Sequence, residues 1–436
     1  MPASDDYRDK FRRISGQTLY PRLSVADQRA LERIAHHLRL TLQELRQLAE
    51  MARDLEMWGE PGLAALLPQT PARLAVPREE KQHLLRELAG HWEALRDEPN
   101  RYPMETRQPP PERPGITLRE KGRLGLGHCP VASPRTRCCN LLTLDAVDNC
   151  GYGCSYCSIQ AFSDGHKVFF DPGFSDKLSR LELDPNRLYH IGTGQSSDSL
   201  MWGNSRGVLD AQLEFARKHP YVILEFKTKS ANVAHLLKQP LPPNILFTWS
   251  LNTPGVIADE EHGSAPLAKR LEAAERMAAS GAVVGFHFHP MIHYRNWREE
   301  YAQVFEQLQS RFDPRQVAMV SFGTLTFIKP VIRRIRQMGI ASQILKMPME
   351  DAEGKLSYPT PIKQALFSHA YGSFSSAWKR EVFFYLCMEN HNLWRPVFGL
   401  EYESNEAFEQ AMKRHYTNKI EQARRGAGTD GTKKAQ

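Results

Sequence analysis

The chain has 436 residues, 41% hydrophobic and 25% charged, with a net charge of +7 and a sequence pI near 8.9. That length exceeds one ordinary core and suits one large domain with additions. No run of about 18 apolar residues suggests a membrane span, and MPASDDYRDKFRR lacks the apolar stretch of a secretory signal, so a cytoplasmic protein without a membrane partner is expected.

Residues 1–100 read as a helical N-terminal region. Ser24-x-x-Asp27 and Thr41-x-x-Glu44 resemble capping boxes, each followed by apolar residues at helical spacing. PREEKQHLLRELAGHWEALRD predicts a further amphipathic helix. Two short helices near residues 31–56 also permit a nucleic-acid-binding helix-turn-helix. Residues 101–137 read as a proline-rich, basic linker. Pro103, Pro109, Pro110, Pro111 and Pro114 exclude a helix interior or central strand there. Residues 101–139 hold eight Lys/Arg against three Glu, a balance that suits either phosphate binding or a solvated linker.

Beyond the linker, strand-like runs alternate with helical patterns. The runs are LLTLDAV (141–147), RLYHIGTG (187–194), YVILEFKTKS (221–230), NILFTWSLN (244–252), AVVGFHFHP (282–290) and QVAMVSFGTL (316–325). Alternation of this kind with right-handed crossovers builds a parallel sheet. The expected fold is α/β: a partial (β/α)6 barrel over residues 138–340. It is flanked by the N-terminal helical extension and a C-terminal α-rich segment, residues 341–436, ending in a disordered basic tail, RRGAGTDGTKKAQ. In such folds chemistry gathers at the C-terminal ends of the strands.

CGYGCSYCSIQ follows the first of these strands. Cys150, Cys154 and Cys157 stand at a C-x3-C-x2-C spacing with no fourth cysteine after them. Clustered thiols in a reducing compartment favour metal ligation or redox chemistry over disulfides. Thiolates are the usual ligands of iron–sulfur clusters, and three of them leave one iron of a four-iron cluster open to a small molecule. The same thiols would suit zinc if Cys129, Cys138 or Cys139 completed the site.

C-x3-C-x-aromatic-C after the first strand of a β/α barrel resembles the radical S-adenosylmethionine superfamily. YGCSYCSIQ, TGQSSDS, FKTKSANVAHLL, FTWSLN, GSAPLAKRLEAAERMAASG and GFHFHP with RNWREEYAQVFEQL are similar to the spore photoproduct lyase-like (DNA photolyase-like) family. The resemblance implies a [4Fe–4S] cluster on Cys150, Cys154 and Cys157, with S-adenosylmethionine on its open iron. It places Tyr156 against the adenine, and Gly192 and Gly194 beside the methionyl group. Ser197 and Asp198 match the family's serine–aspartate pair, while Lys229 and Ser250 match residues that bind the cofactor's carboxylate and ribose. The implied chemistry is reductive cleavage of the sulfonium to a 5′-deoxyadenosyl radical, which removes a hydrogen atom from the substrate. A one-electron reductant such as flavodoxin or ferredoxin, and DNA or another nucleic acid carrying a lesion, would be the partners.

The sequence departs from the family at the substrate. Gln195 stands where the lyase has its hydrogen-donating cysteine, and Ser158 where it has a tyrosine after the third cluster cysteine. The lyase's late arginine hairpin has no clear counterpart near SFGTLTFIKP. A catalytic hydrogen donor is therefore not assigned. Cys129, Cys138 and Cys139, beside the basic Arg135 and Arg137, read either as structural thiols or as substitute donors, and Cys387 as a core residue. His287 and His289 share one strand face and suit substrate contact, a core network or, with further ligands, a metal. Arg295 and Trp297 suit a phosphate and a stacked base, or Trp297 anchors the helix it starts. Two other functions stay open: the same radical chemistry on a small molecule or peptide, and a non-catalytic zinc-stabilised nucleic-acid-binding protein.

Overall fold

A computed structural model describes residues 4–67, 77–102, 114–129, 135–158 and 167–433. Pro103, Pro109, Pro110 and Pro111 of the expected linker lie outside the described residues. The chain forms two compact units: residues 1–101 with 327–356, and residues 102–326 with 357–436.

The first unit is helical, and its helices start where capping chemistry places them. The Ser24 hydroxyl accepts the Asp27 backbone N–H at 3.1 Å and opens the Val25–Leu38 helix. Thr41 and Glu44 form a reciprocal capping box at the head of Leu42–Trp58. Gly59 ends that helix in the left-handed region at φ 71°. Leu31, Ile34, Leu45, Leu48 and Ala49 lie at the centre of the unit's core. The Lys329–Met338 helix also belongs to this unit. Its Arg336 forks onto Asp54 at 2.8 and 2.7 Å and reaches Glu50 at 2.6 Å. Asp54 is fully buried, so this pair stands without solvent screening.

The second unit carries an eight-stranded sheet. In chain order its strands are β1 (Leu126–His128), β2 (Leu142–Leu144), β3 (Tyr189–Thr193), β4 (Val222–Thr228), β5 (Ile245–Ser250), β6 (Val283–Met291), β7 (Val317–Thr324) and β8 (Phe383–Leu386). Their spatial order is the same as their chain order. From β2 to β8 every neighbouring pair is parallel; β1 joins β2 antiparallel. Right-handed crossovers that always step the same way keep the helices on one face and curl the sheet into a partial barrel. All six strands expected from sequence are present.

Three pieces differ from the sequence reading. Two strands form inside the stretch read as linker: β1, and Gly115–Leu118, which pairs parallel with Lys167–Phe170. β8, within the C-terminal segment, joins the sheet beside β7. The final helix, Asn405–Lys433, continues through residues read as a disordered tail; extending a formed helix needs no new nucleus. Residues 434–436 lie outside the described residues.

Side chains on one face of the sheet form a buried polar network. Glu225 on β4 lies 2.8 Å from His190 Nε2 of β3 and 2.8 Å from His287 Nε2 of β6, and accepts the Thr248 hydroxyl at 2.8 Å. His287 Nδ1 lies 2.7 Å from the Ser321 hydroxyl, which is 3.0 Å from His289 Nε2. Burial alone would raise the Glu225 carboxyl; hydrogen bonds from both histidines outweigh it and hold the group well below the usual range. Burial, with Lys227 nearby, pushes His287 down to about 4.

This network is expected to make the barrel acid-labile. As pH falls, the unfolded chain protonates His287 near pH 6.5 while the folded chain resists until about pH 4. Stability from the neutral imidazole is complete above about pH 7 and declines between 6.5 and 4, by about 3 kcal/mol at most. The Glu225 contribution is lost only at still lower pH. A melting temperature that falls across this window, with a shallower fall in His287→Asn, is expected. Equal slopes for both proteins would contradict the neutral buried imidazole.

Candidate functional site

The three clustered cysteines lie on the loop that leaves β2. Asn149 enters it with φ 66°. Gly151 sits so close to the next loop that a Cβ would come within 2.4 Å of Met201 and 2.8 Å of Trp202. A residue with a side chain there would force the two loops apart. Gly153 and Cys154 form a short antiparallel pair with His262 and Glu261, which follow the Pro254–Glu260 helix after β5. The Ser155 backbone donates to the Glu260 carbonyl at 2.9 Å, and the Ser155 hydroxyl also bonds the Glu260 carboxylate. The Cys157 N–H closes the turn on the Cys154 carbonyl at 3.1 Å.

This folding brings the three thiols within electrostatic reach of one another. Burial pushes Cys150 up to about 12 and Cys154 well above the ordinary thiol value, and each neighbouring thiol adds to the rise. Lys229 opposes it at Cys154. Thiols of this kind shed their protons when a metal supplies the compensating charge. Among the described residues, no three His, Cys, Asp or Glu side chains converge tightly enough to hold a single ion. Three thiols on one loop are the donor type that an iron–sulfur cluster takes.

Glu261, which the sequence reading did not single out, joins this loop to two other expected site residues. It accepts the Tyr156 hydroxyl at 2.5 Å, lies 3.5 Å from the Lys229 ammonium, and is held at 2.6 Å by Arg270. Arg270 is fully buried and also donates to the carbonyls of Ser250 and Ala265, each at 2.7 Å. Burial would raise the Glu261 carboxyl, but the charges of Arg270 and Lys229 bring it down to about 2. The Lys229 ammonium also stands 5.6 Å from the Tyr156 ring centroid. One carboxylate thus organises Tyr156, Lys229 and, through Arg270, the end of β5 at Ser250. The sequence carried a trace of it in the acidic run DEEH at 259–262, just ahead of an amphipathic helix.

The loop after β3 carries the remaining expected residues. Gly192 lies within β3, where a Cβ would come within 3.0 Å of the Leu141 side chain. Gly194 has φ 84°, and a Cβ there would lie 2.5 Å from the Ser199 hydroxyl and 2.8 Å from the Lys227 carbonyl, so only glycine fits. Asp198 accepts the backbone N–H groups of Leu200, Met201 and Lys229 at 3.0, 2.9 and 2.6 Å, and the Thr228 hydroxyl at 2.7 Å. Its carboxylate therefore braces this loop against the end of β4. Ser197 is buried and accepts the Trp202 indole N–H at 3.4 Å. Gly194, Ser197 and Asp198 line one small cavity with Thr193, Trp202 and Gly203.

Residues 187–358 match the family described as spore photoproduct lyase. Spore photoproduct lyase of Clostridium acetobutylicum is 26% identical over 223 residues, 49% of this chain and 64% of that protein. The lyase of a Geobacillus species is 30% identical over 192 residues, 42% of this chain and 56% of that protein. Over these residues the chain is similar to spore photoproduct lyases. The matches span less than two thirds of those relatives' own lengths. In fold, a spore photoproduct lyase mutant solved with bound AdoMet and dinucleoside spore photoproduct aligns with a TM-score of 0.51. That alignment is 20% identical and covers 62% of this chain and 81% of that one.

Other expected residues fall elsewhere in the second unit. His287 and His289 belong to the Glu225 network. Trp297 is buried at the start of the Trp297–Arg311 helix, its ring edge-on to His369 at 5.2 Å, which makes it that helix's anchor. Cys129, Cys138, Cys139 and Cys387 come together from three segments around one small cavity. A hydrogen bond from Cys139 brings the Cys138 thiol down to about 6. Gln195 and Ser158 stand at the positions where the family resemblance breaks. No helix among the described residues is long and apolar enough to cross a membrane.

Proposed function

We propose that this chain is a radical S-adenosylmethionine enzyme that acts on a lesion in DNA or a related nucleic acid. The observation that carries this reading is the loop of Cys150, Cys154 and Cys157 after β2, tied through Cys154 and Tyr156 to the buried Glu261, which also faces Lys229. The three cysteines would hold a [4Fe–4S] cluster. Bound cluster and S-adenosylmethionine would supply reductive cleavage of the sulfonium and radical hydrogen abstraction from the substrate.

The chain's own residues would do the rest. Gly192 and Gly194 would stand beside the methionyl group at the end of β3, where their missing side chains let Leu141, Ser199 and the end of β4 pack close. Lys229 offers a cation for the cofactor carboxylate, and Ser250 a hydroxyl for the ribose. Tyr156, fixed by Glu261, offers a ring to the adenine. Asp198 holds the loop bearing Ser197 in place through its four accepted hydrogen bonds. A one-electron reductant such as flavodoxin or ferredoxin in a reducing cytoplasm would complete the system.

Gln195 favours a second reading, the same radical chemistry on a small molecule or peptide, because an amide is a poor hydrogen-atom donor. The test is anaerobic reconstitution with iron and sulfide, reduction with dithionite, and measurement of 5′-deoxyadenosine with and without ultraviolet-damaged DNA. Stimulation by damaged DNA is expected. Cofactor cleavage indifferent to DNA would favour the second reading, and none at all would overturn both.

A further inference from the structure

The first unit contains a cavity of about 750 Å³ that the proposed chemistry does not use. It is larger than one phosphate requires and lies within the range of about 300–1,000 Å³ that holds drug-sized ligands. Five stretches wall it: the 16–22 turn, the helices Leu42–Trp58, Pro77–Asp97 and Lys329–Met338, and residues 345–356. Together they contribute Arg22, Arg46, Arg96, Lys329, Arg333 and Arg336.

Among the described lining residues, Glu50 is the one carboxylate, and it is already engaged by Arg336 together with buried Asp54. Arg46, Lys329 and Arg333 form no ion pair among the described residues. Arg22 spends one nitrogen on the Gln337 carbonyl at 3.0 Å. Arg96 lies over the Trp92 ring at 4.9 Å. Trp92 is itself fixed, stacked on Trp58 at 6.0 Å and donating to Asp54 at 3.2 Å. Arg96 therefore rests on a rigid platform.

Arg96 is paired with Asp97 at 3.4 Å, but gathering the other cations, with Arg46, Lys329 and Arg333 in no ion pair among the described residues, into one concavity gains nothing for folding, since like charges repel. It does focus a positive potential that concentrates anions. Guanidinium forks match the oxygens of phosphodiesters in bidentate fashion. Cations drawn from several segments around a cavity of this size suit a strand of linked phosphates better than one compact anion. An ordinary solvated helix face would place such charges on convex surface, with partners at helical spacing.

We propose that this basic cleft grips the phosphodiester backbone of a nucleic acid without regard to sequence or lesion. The proposal rests on the nucleic-acid reading given under Proposed function and adds a binding site to it.

The test is fluorescence anisotropy of the full-length protein with short, dye-labelled, undamaged single-stranded and duplex DNA across a salt series. A triple variant, Arg46→Gln/Lys329→Gln/Arg333→Gln, keeps the fold because none of the three is paired; its unchanged melting temperature is the control. Wild type is expected to bind undamaged DNA. The triple variant should bind at least about tenfold more weakly at low salt. Its slope of log K against log salt should be shallower by about 2–3, at roughly 0.9 for each phosphate that the variant leaves without its cation. Equal affinity and slope for variant and wild type would overturn the cleft. So would a mononucleotide that binds as tightly as the strand, since the occupant would then be a free phosphorylated small molecule. Damaged DNA that stimulates cofactor cleavage equally in both proteins, with equal affinity, removes the cleft and leaves the enzyme reading standing. A wild type that binds no DNA of any kind removes the nucleic-acid reading itself.

Discussion

A Cys154→Ala protein is expected to fold normally and to produce no 5′-deoxyadenosine above background. Cys154 is 5% exposed, so removing its sulfur leaves a small void that costs on the order of 1 kcal/mol. The loop does not depend on that sulfur for its shape. Cys154 pairs with Glu261 through main chain, and the turn to Cys157 is closed by the Cys154 carbonyl. Alanine preserves both. What disappears is one of three donors, and a cluster held by two thiolates from one loop should not survive purification. The measurements are iron and sulfide content, visible absorbance, and product formation after anaerobic reconstitution, with circular dichroism as the folding control. Wild-type iron and product in this variant would refute the assignment of all three ligands.

Glu261→Ala is expected to be the most damaging single substitution around the site. It removes the carboxylate facing Arg270, which is fully buried, and Lys229, and it strips the Tyr156 hydroxyl of its acceptor. Breaking a buried pair by deleting one partner costs about 3–5 kcal/mol, or roughly 10 °C of melting temperature for a unit of this size. Glu261→Gln keeps the shape and one acceptor, so it should lose less stability while still freeing the Lys229 charge. The pH dependence has a definite direction. The Glu261 carboxyl is lowered to about 2 against roughly 4.3 in an unfolded chain. Its stabilisation is complete above that unfolded value and is lost as pH falls toward 2. Calorimetry of wild type, Glu261→Gln and Glu261→Ala at neutral pH gives the ranking. A Glu261→Ala protein as stable as wild type would mean that Arg270 finds another counter-charge and that the hub is not one.

The barrel was legible because its information is local. Runs such as YVILEFKTKS and NILFTWSLN are β-branched, aromatic and short, and helical patterns separate them, so strand identity and order follow from neighbouring residues. The cysteine triplet was legible for the same reason: three thiols within eight positions need no fold to be seen together. Ser24 and Thr41 announced their helices because capping acts over three residues.

Glu261 and Arg270 were not legible, since an acidic residue after one helix and an arginine on the next look like ordinary surface charge. Their meaning comes from the pairing of Gly153–Cys154 with Glu261–His262, more than a hundred positions apart, which buries both and denies them water. The Lys329–Met338 helix likewise read as part of the barrel, yet its Arg336 is matched to Asp54 in the helical unit. Composition and short-range periodicity were sufficient for the elements, their order and the clustered thiols, because each depends on residues within a turn or two of one another. Which charges are buried together, which strand closes the sheet's edge and where the basic cleft opens depended on distant segments meeting, because desolvation and pairing energies exist only once the chain has brought them together.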